Sequence, residues 1–72
     1  MIYVYTLPIC PNCEQFKEML TKNNIEFKCL DLEDEDVYID LLIKSVTLTE
    51  APIIRLNDKF MSMNDAIKEL GL

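Results

Sequence analysis

The chain has 72 residues, of which half are apolar and 28% are charged, and it has a formal net charge of −6 with no histidine. This length predicts one domain, residues 1–72, and the composition is that of a folded protein rather than a disordered one. An acidic chain repels nucleic acid and anionic lipid, and no apolar run reaches the roughly 20 residues that span a bilayer, so neither partner is expected. No export signal is visible at the amino terminus, so the cytoplasm is the expected location. A monomer is the default expectation for the oligomeric state.

The first elements in chain order are a strand and a helix. Residues 2–6 are a dense run of β-branched and aromatic side chains, which predicts a buried strand. From residue 13 to residue 20 apolar side chains recur at helical spacing, with charged and amide side chains between them. Cys10 suits the N-cap region and Pro11 the first helical position, and the asparagines at 23 and 24 suit the end of that helix.

A second strand and a second helix follow. Ile25, Phe27 and Cys29 alternate with Glu26 and Lys28, which predicts a half-buried strand in which Cys29 faces the core. The alternative for Cys29 is a regulatory or glutathionylated thiol. The second helix should be capped by one of two aspartates, at 34 or 36, and should end near residues 45–47. Its predicted apolar stripe comprises Val37, Tyr38, Leu41, Leu42 and Val46.

The last third of the chain predicts two strands and a final helix. Ala51-Pro52 precede a third predicted strand at 53–56, and Asn57-Asp58 then form a hairpin turn into a short strand at 59–61. The final helix has Ser62 and Asp65 as a weak capping box and Gly71 as its terminator. Its apolar face comprises Met63, Ala66, Ile67 and Leu70. The order β-α-β-α-β-β-α predicts an α/β fold with a four-stranded mixed sheet flanked by three helices.

Cys10-Pro11-Asn12-Cys13 is the strongest chemical signal in the chain. Two intervening residues at a helix start bring both sulfurs within bridging reach. Free backbone N–H groups and the positive end of the helix dipole favour a thiolate at Cys10, so its pKa should fall below the usual value of about 8.5. Cys13, one turn into the helix on its apolar face, should be less exposed. We therefore predict that Cys10 attacks a disulfide and that Cys13 resolves the mixed disulfide.

A cysteine pair of this spacing has two other uses in proteins, in a zinc site and in a structural disulfide. A zinc site requires four ligands, whereas Cys29 is the one remaining thiol and the chain has no histidine, so no bound metal is expected. A purely structural disulfide between Cys10 and Cys13 would close a very small loop and would remove little unfolded-state entropy.

The segment Tyr5-Thr6-Leu7-Pro8-Ile9-Cys10-Pro11-Asn12-Cys13, followed by Ala51-Pro52, resembles the glutaredoxin family, including the glutaredoxin-like hydrogen donors of ribonucleotide reductase. The resemblance covers essentially the whole chain and implies the minimal thioredoxin-like fold. It implies a cis peptide bond at Pro52, which faces the cysteines, and backbone beside Ala51 that hydrogen-bonds an extended peptide or glutathione. An ordinary trans proline is the alternative. Tyr5 either borders this cleft or packs in the core.

Departures from the family pattern bear on the substrate. Where glutathione-using members carry a lysine, an aromatic residue and threonine-valine, this chain has Leu7, Asn12 and Glu50-Ala51. Ser62-Met63 replace the paired glycines before the last helix. Loss of a cation weakens glutathione binding, although Asn64 and Asp65 lie at a helix start where N–H groups can hold a carboxylate.

The function that these features predict is a dithiol-disulfide oxidoreductase acting on protein or glutathione mixed disulfides. No bound cofactor is expected, and glutathione would be a co-substrate. The alternatives are an electron donor to ribonucleotide reductase recharged by thioredoxin reductase, a non-redox peptide-binding module, and an oligomeric iron–sulfur carrier.

Overall fold

A computed structural model describes residues 1–46 and 50–72 of the chain. The elements are β1 (Ile2–Thr6), α1 (Pro11–Lys22), β2 (Phe27–Asp31), α2 (Glu35–Ile43), β3 (Ile53–Leu56), β4 (Lys59–Ser62) and α3 (Met63–Leu70). The strands form one sheet in the order β2-β1-β3-β4. β1 is parallel to β2 and antiparallel to β3, and β3 is antiparallel to β4. The predicted element order and four-stranded mixed sheet are confirmed.

Local sequence signals set most of the element boundaries. Asp34 caps α2 by accepting the N–H of Asp36 at 2.9 Å. Asn57 and Asp58 both have positive φ, at 48° and 67°, as a tight hairpin between right-handed twisted strands requires. Gly71 ends α3 in the left-handed conformation with φ 69°. Each of these signals acts within a few residues, which is why the sequence predicts them directly.

The sheet has helices on both faces. One face packs against α1 and α3 in a core built from six buried residues: Val4, Phe16, Leu20, Ile54, Met61 and Ala66. The other face packs against α2, in a smaller cluster of Tyr5, Leu41 and Ile53. Residues 4 and 5 of β1 therefore point to opposite faces, as the period of a strand requires. The central strands β1 and β3 are covered on both sides.

The expectation for Cys29 was wrong, since its thiol is exposed rather than in the core. Cys29 pairs in register with Val4, which is fully buried, so the two side chains share a face of the sheet. β2 is an edge strand, however, and only Phe27 at its start packs against the main core. The alternation of residues along β2 predicted correctly which face of the sheet Cys29 lies on. It did not predict that the helices leave Cys29 exposed on this edge strand.

The predicted stripe of α2 was wrong in part. Leu41 is buried and Val37 packs against the smaller cluster, but Tyr38 and Leu42 are 54% and 56% exposed. A single helix turned toward the sheet through Val37 and Leu41 must carry Tyr38 and Leu42 away from it, because consecutive residues lie 100° apart on a helix. α2 ends at Ile43, close to the predicted position, and Thr47 lies outside the described residues.

Two smaller boundaries differ from the expectation. β2 begins at Phe27 rather than at Ile25, and β4 runs to Ser62, one residue beyond the predicted strand. Within residues 1–46 and 50–72, no helix has the length and apolar character needed to cross a membrane.

Candidate functional site

Strand register gathers three separate chain segments at one end of the sheet. β1 runs toward this end and leads into the cysteine motif. Tyr5 pairs with Ile53, so Pro52, immediately before β3, lies beside the end of β1. Ile53 in turn pairs with Ser62, which places the start of α3 at the same end. The cysteine motif, the Ala51-Pro52 segment and the amino terminus of α3 therefore share one edge of the molecule.

Cys10 is the N-cap of α1. Its backbone is extended, with φ −150° and ψ 94°, and Pro11 opens the helix behind it. The Cys13 N–H donates to Cys10 Sγ at 3.1 Å, and the Glu14 N–H donates to the Cys10 carbonyl at 3.1 Å. The sulfur thus occupies the place that a serine or aspartate oxygen takes in an ordinary cap. A hydrogen-bond donor and the positive end of the helix dipole both favour a negative charge on that sulfur.

Cys13 lies one turn along the helix, and its sulfur is bonded to that of Cys10 as a disulfide. The two Cα atoms are 5.2 Å apart, which is within the usual range for a disulfide. Cys13 is 0% exposed, whereas Cys10 is half-buried at the surface. An incoming thiol can therefore approach Cys10 but not Cys13. The predicted division between an accessible sulfur and a protected one agrees with this geometry.

An open groove of about 440 Å³ runs beside Cys10. Its walls come from the loop after β1, the first turn of α1 and the segment before β3. The lining residues are Leu7, Ile9, Cys10, Pro11, Asn12, Glu50 and Ala51. The Ala51-Pro52 peptide bond is cis, as the family resemblance implied. Pro52 is itself buried, so the surface that it offers a ligand is the backbone that precedes it.

The structure places the other predicted site residues away from this groove. Tyr5 is 1% exposed, and its ring packs against the ring of Phe60 with centroids 5.8 Å apart, on the face of the sheet that α2 covers. Of the two placements weighed for Tyr5, the structure has the core one, and the tyrosine does not border the groove. Asn64 is exposed in the first turn of α3.

Asp65 contributes to a separate concavity near Lys59 and Lys68. Its N–H already donates to Ser62 Oγ at 3.3 Å, so this donor serves the helix cap rather than a ligand. The capping box is thus confirmed in part, with serine accepting from the helix. Neither Asn64 nor Asp65 lines the groove beside Cys10.

The groove also contains a residue that the sequence interpretation left out. Ile9 precedes the reactive cysteine and is 92% exposed, the largest exposure among the large apolar side chains of the described residues. Ile9 could have been identified from the sequence by its position directly before Cys10, in a loop with two prolines nearby. Among the residues that the structure describes, no group of three or more histidine, cysteine, aspartate or glutamate side chains is placed to hold a metal ion.

Comparison with protein families identifies the framework that carries this site. The Glutaredoxin family model matches residues 2–61, which include the cysteine pair, the cis-proline and three of the four strands in full. The chain belongs to the glutaredoxin family. No curated protein sequence matches the chain at a significant level.

Solved structures support the same fold. The thioredoxin-like protein BC3987 superposes with a TM-score of 0.77 at 24% identity, over 97% of this chain and 99% of that one. The glutaredoxin-like NrdH-redoxin from Escherichia coli gives 0.72 at 16% identity, over 89% and 91% of the two chains. Glutaredoxin 1 from Francisella tularensis gives 0.70 at 22% identity, over 96% and 92%. At these identities the similarity establishes the thioredoxin-like fold and not a shared substrate.

Proposed function

We propose that this glutaredoxin is a dithiol-disulfide oxidoreductase that reduces disulfides of other proteins through Cys10 and Cys13. The observation that carries the proposal is the pairing of an accessible sulfur at a helix N-cap with a buried one within bonding reach. A structural disulfide does not need one sulfur at the surface. A non-redox peptide-binding module does not need either sulfur.

The reaction proceeds by two thiol–disulfide exchanges. The Cys10 thiolate attacks one sulfur of the substrate disulfide, so a mixed disulfide forms and the other substrate sulfur leaves as a thiolate that takes a proton from water. Cys13 loses its proton and attacks Cys10 Sγ, which re-forms the Cys10–Cys13 disulfide and releases the second substrate thiol. Two electrons pass from the protein dithiol to the substrate disulfide. We place this chemistry in the cytoplasm, where a reducing environment supplies fresh dithiol.

Recharging the oxidised protein needs a reductant, for which there are two candidates. Glutathione would act as a co-substrate, whereas thioredoxin reductase would supply electrons from NADPH. The groove beside Cys10 has Leu7 and Glu50 on its walls and no basic side chain among the described residues, which favours the second source because glutathione is a net anion. The E. coli NrdH-redoxin is described as having a thioredoxin-like activity profile. An electron donor to ribonucleotide reductase is accordingly our second candidate.

A stoichiometric reduction tests the proposal. Reduced protein, with the third thiol removed by Cys29→Ser, is mixed with an excess of a disulfide-containing protein, and released substrate thiols are counted. We expect one substrate disulfide reduced per chain, no reduction by Cys10→Ser, and a trapped mixed disulfide with Cys13→Ser. Retention of full reducing capacity by Cys10→Ser would contradict the proposal.

The electron source is tested separately with the oxidised protein. It is incubated with NADPH and either glutathione plus glutathione reductase or thioredoxin reductase, and NADPH consumption is followed in both cases. We expect faster recharging in the second system. Faster recharging by glutathione would assign the protein to the glutathione-dependent type.

A further inference from the structure

Among the described residues that line the groove beside Cys10, the one charged side chain is that of Glu50. Glu50 is exposed, and Leu7 and Ile9 line the same groove. No lysine or arginine is among the described residues that line the groove. A ligand that lies along this groove therefore meets the Glu50 carboxylate and no lysine or arginine among the described lining residues.

The rim of the groove next to the reactive sulfur is apolar. Ile9 is 92% exposed and Leu7 is 42% exposed, and both line the groove with Cys10. Large apolar side chains at this exposure bury area only when another molecule covers them. A small, polar ligand such as glutathione has little apolar surface with which to cover them. A polypeptide with an apolar side chain beside its half-cystine has more apolar surface for this contact.

We propose that the groove selects polypeptide disulfides in which the attacked half-cystine is flanked by an apolar residue and a lysine or arginine, with Glu50 as the residue that sets the charge preference. This inference rests on the proposed function and specifies the substrate class of the same exchange reaction. The segment lies against the backbone of Ala51, with its apolar side chain on Ile9 and its cation toward Glu50. Glutathione, a net anion, is disfavoured by the same carboxylate.

The size of the effect follows from Coulomb's law in a largely aqueous groove. Opposite charges about 4–8 Å apart in a water-like medium change an encounter rate by about 2- to 5-fold, and like charges change it by as much in the other direction. Two probes that differ only by lysine or glutamate should therefore differ about 4- to 25-fold in rate at low ionic strength. The preference should shrink in high salt, because exposed charges are screened.

The test uses two fluorogenic peptide disulfides of identical sequence, except that lysine or glutamate follows the leucine beside the half-cystine. Second-order rate constants are measured with reduced protein carrying Cys29→Ser. Glu50→Lys is compared with Glu18→Lys, a matched control on the exposed outer side of α1 that changes the net charge equally but does not line the groove. We expect the unaltered groove to favour the lysine probe, Glu50→Lys to reverse that preference, and Glu18→Lys to retain most of it.

Three outcomes are decisive. If both probes are reduced and the ratio of lysine to glutamate rates is the same in Glu50→Lys as in the protein with Glu50, the inference is overturned and the proposed function remains intact. A shift of the same size with Glu18→Lys would also overturn it, since net charge rather than the groove would then set the preference. If neither of the two probes is reduced, the proposed function itself is contradicted.

The apolar part of the inference has its own variant. Ile9→Ser should slow reduction of both leucine-containing probes several-fold and should leave the ratio of lysine to glutamate rates unchanged. The side chain is almost fully exposed, so its replacement should not destabilise the fold. An unchanged rate with Ile9→Ser would show that the apolar rim plays no part in substrate choice. A circular dichroism spectrum of each variant confirms that it is folded.

Discussion

The pKa of the Cys10 thiol is the property that most directly links the fold to the chemistry. In the reduced protein, a thiolate at the N-cap of α1 accepts the Cys13 N–H, whose distance to Cys10 Sγ is 3.1 Å in the disulfide form. A hydrogen bond to a charged group contributes about 1.5–3 kcal/mol, and the helix dipole adds about 0.3–1 kcal/mol. Both contributions favour the thiolate over the thiol. We therefore expect the pKa of Cys10 to lie below the usual value of about 8.5 for a cysteine thiol.

Two variants separate the hydrogen bond from the dipole. Cys13→Ser removes the resolving thiol but keeps the N–H of residue 13, whereas Cys13→Pro removes both. Both are prepared with Cys29→Ser, so that Cys10 is the only thiol. Proline at this position lies in the first turn, where its missing N–H breaks no bond within the helix. We expect the Cys10 pKa to be higher in Cys13→Pro than in Cys13→Ser, because the proline variant lacks the N–H that stabilises the thiolate.

The assay is the rate of alkylation of Cys10 by iodoacetamide as a function of pH, with the Cys13→Ser protein unfolded in urea as the reference. Circular dichroism establishes that each variant retains its helices. A Cys10 pKa in folded Cys13→Ser that is no lower than in the unfolded reference would refute the reasoning. Equal pKa values in the serine and proline variants would remove the hydrogen bond from the explanation and leave the dipole alone.

Three further predictions concern the fold. Leu41→Ala should lower the free energy of unfolding by about 2–5 kcal/mol because Leu41 is buried, whereas Leu42→Ala should change it by less than about 0.5 kcal/mol. Equal losses in urea denaturation would contradict the assignment of Leu41, rather than Leu42, to the side of α2 that packs against the sheet. The hydrogen bond from Arg55 lowers the pKa of Asp58, so this pair stabilises the fold above the unfolded carboxyl pKa of about 3.9 and is lost as the pH falls through the folded value. Asp58→Asn keeps a residue suited to positive φ and should flatten the acid side of the stability profile measured by denaturation midpoints; an unchanged profile would contradict the assignment. Ser62→Ala should cost about 1 kcal/mol through loss of the α3 cap, and no change in the thermal midpoint would show that the cap is not stabilising.

Features decided by neighbouring residues were the ones that the sequence predicted well. The N-cap position of Cys10, the turn at Asn57-Asp58 and the terminator Gly71 each depend on conformational preferences within one turn of chain. The cysteine spacing likewise predicted both the helix start and the protected position of Cys13. The element order and sheet then followed from the known handedness of β-α-β connections and the tight hairpin.

Features decided by distant parts of the chain were predicted less well. Cys29 has the alternation of a buried strand residue, but it lies on an edge strand beyond the cover of the helices. Tyr38 and Leu42 are apolar residues on a short helix that can turn only one side to the sheet, and the sequence does not specify which. Asp65 lies at the helix start that the sequence predicted, yet its side chain contributes to a different concavity from that of Cys10. In each case the deciding quantity was the position of a neighbouring element.

The central claim is that Cys10 is the sulfur that attacks the substrate and Cys13 the one that resolves it. The most direct measurement exposes reduced Cys13→Ser protein, with Cys29 intact, to an oxidised protein substrate and maps the covalent adduct by mass spectrometry. Cys29 is exposed and offers a real competitor for the adduct. We predict that the substrate is attached to Cys10, where the helix end favours a thiolate; attachment mainly to Cys29 would contradict the account.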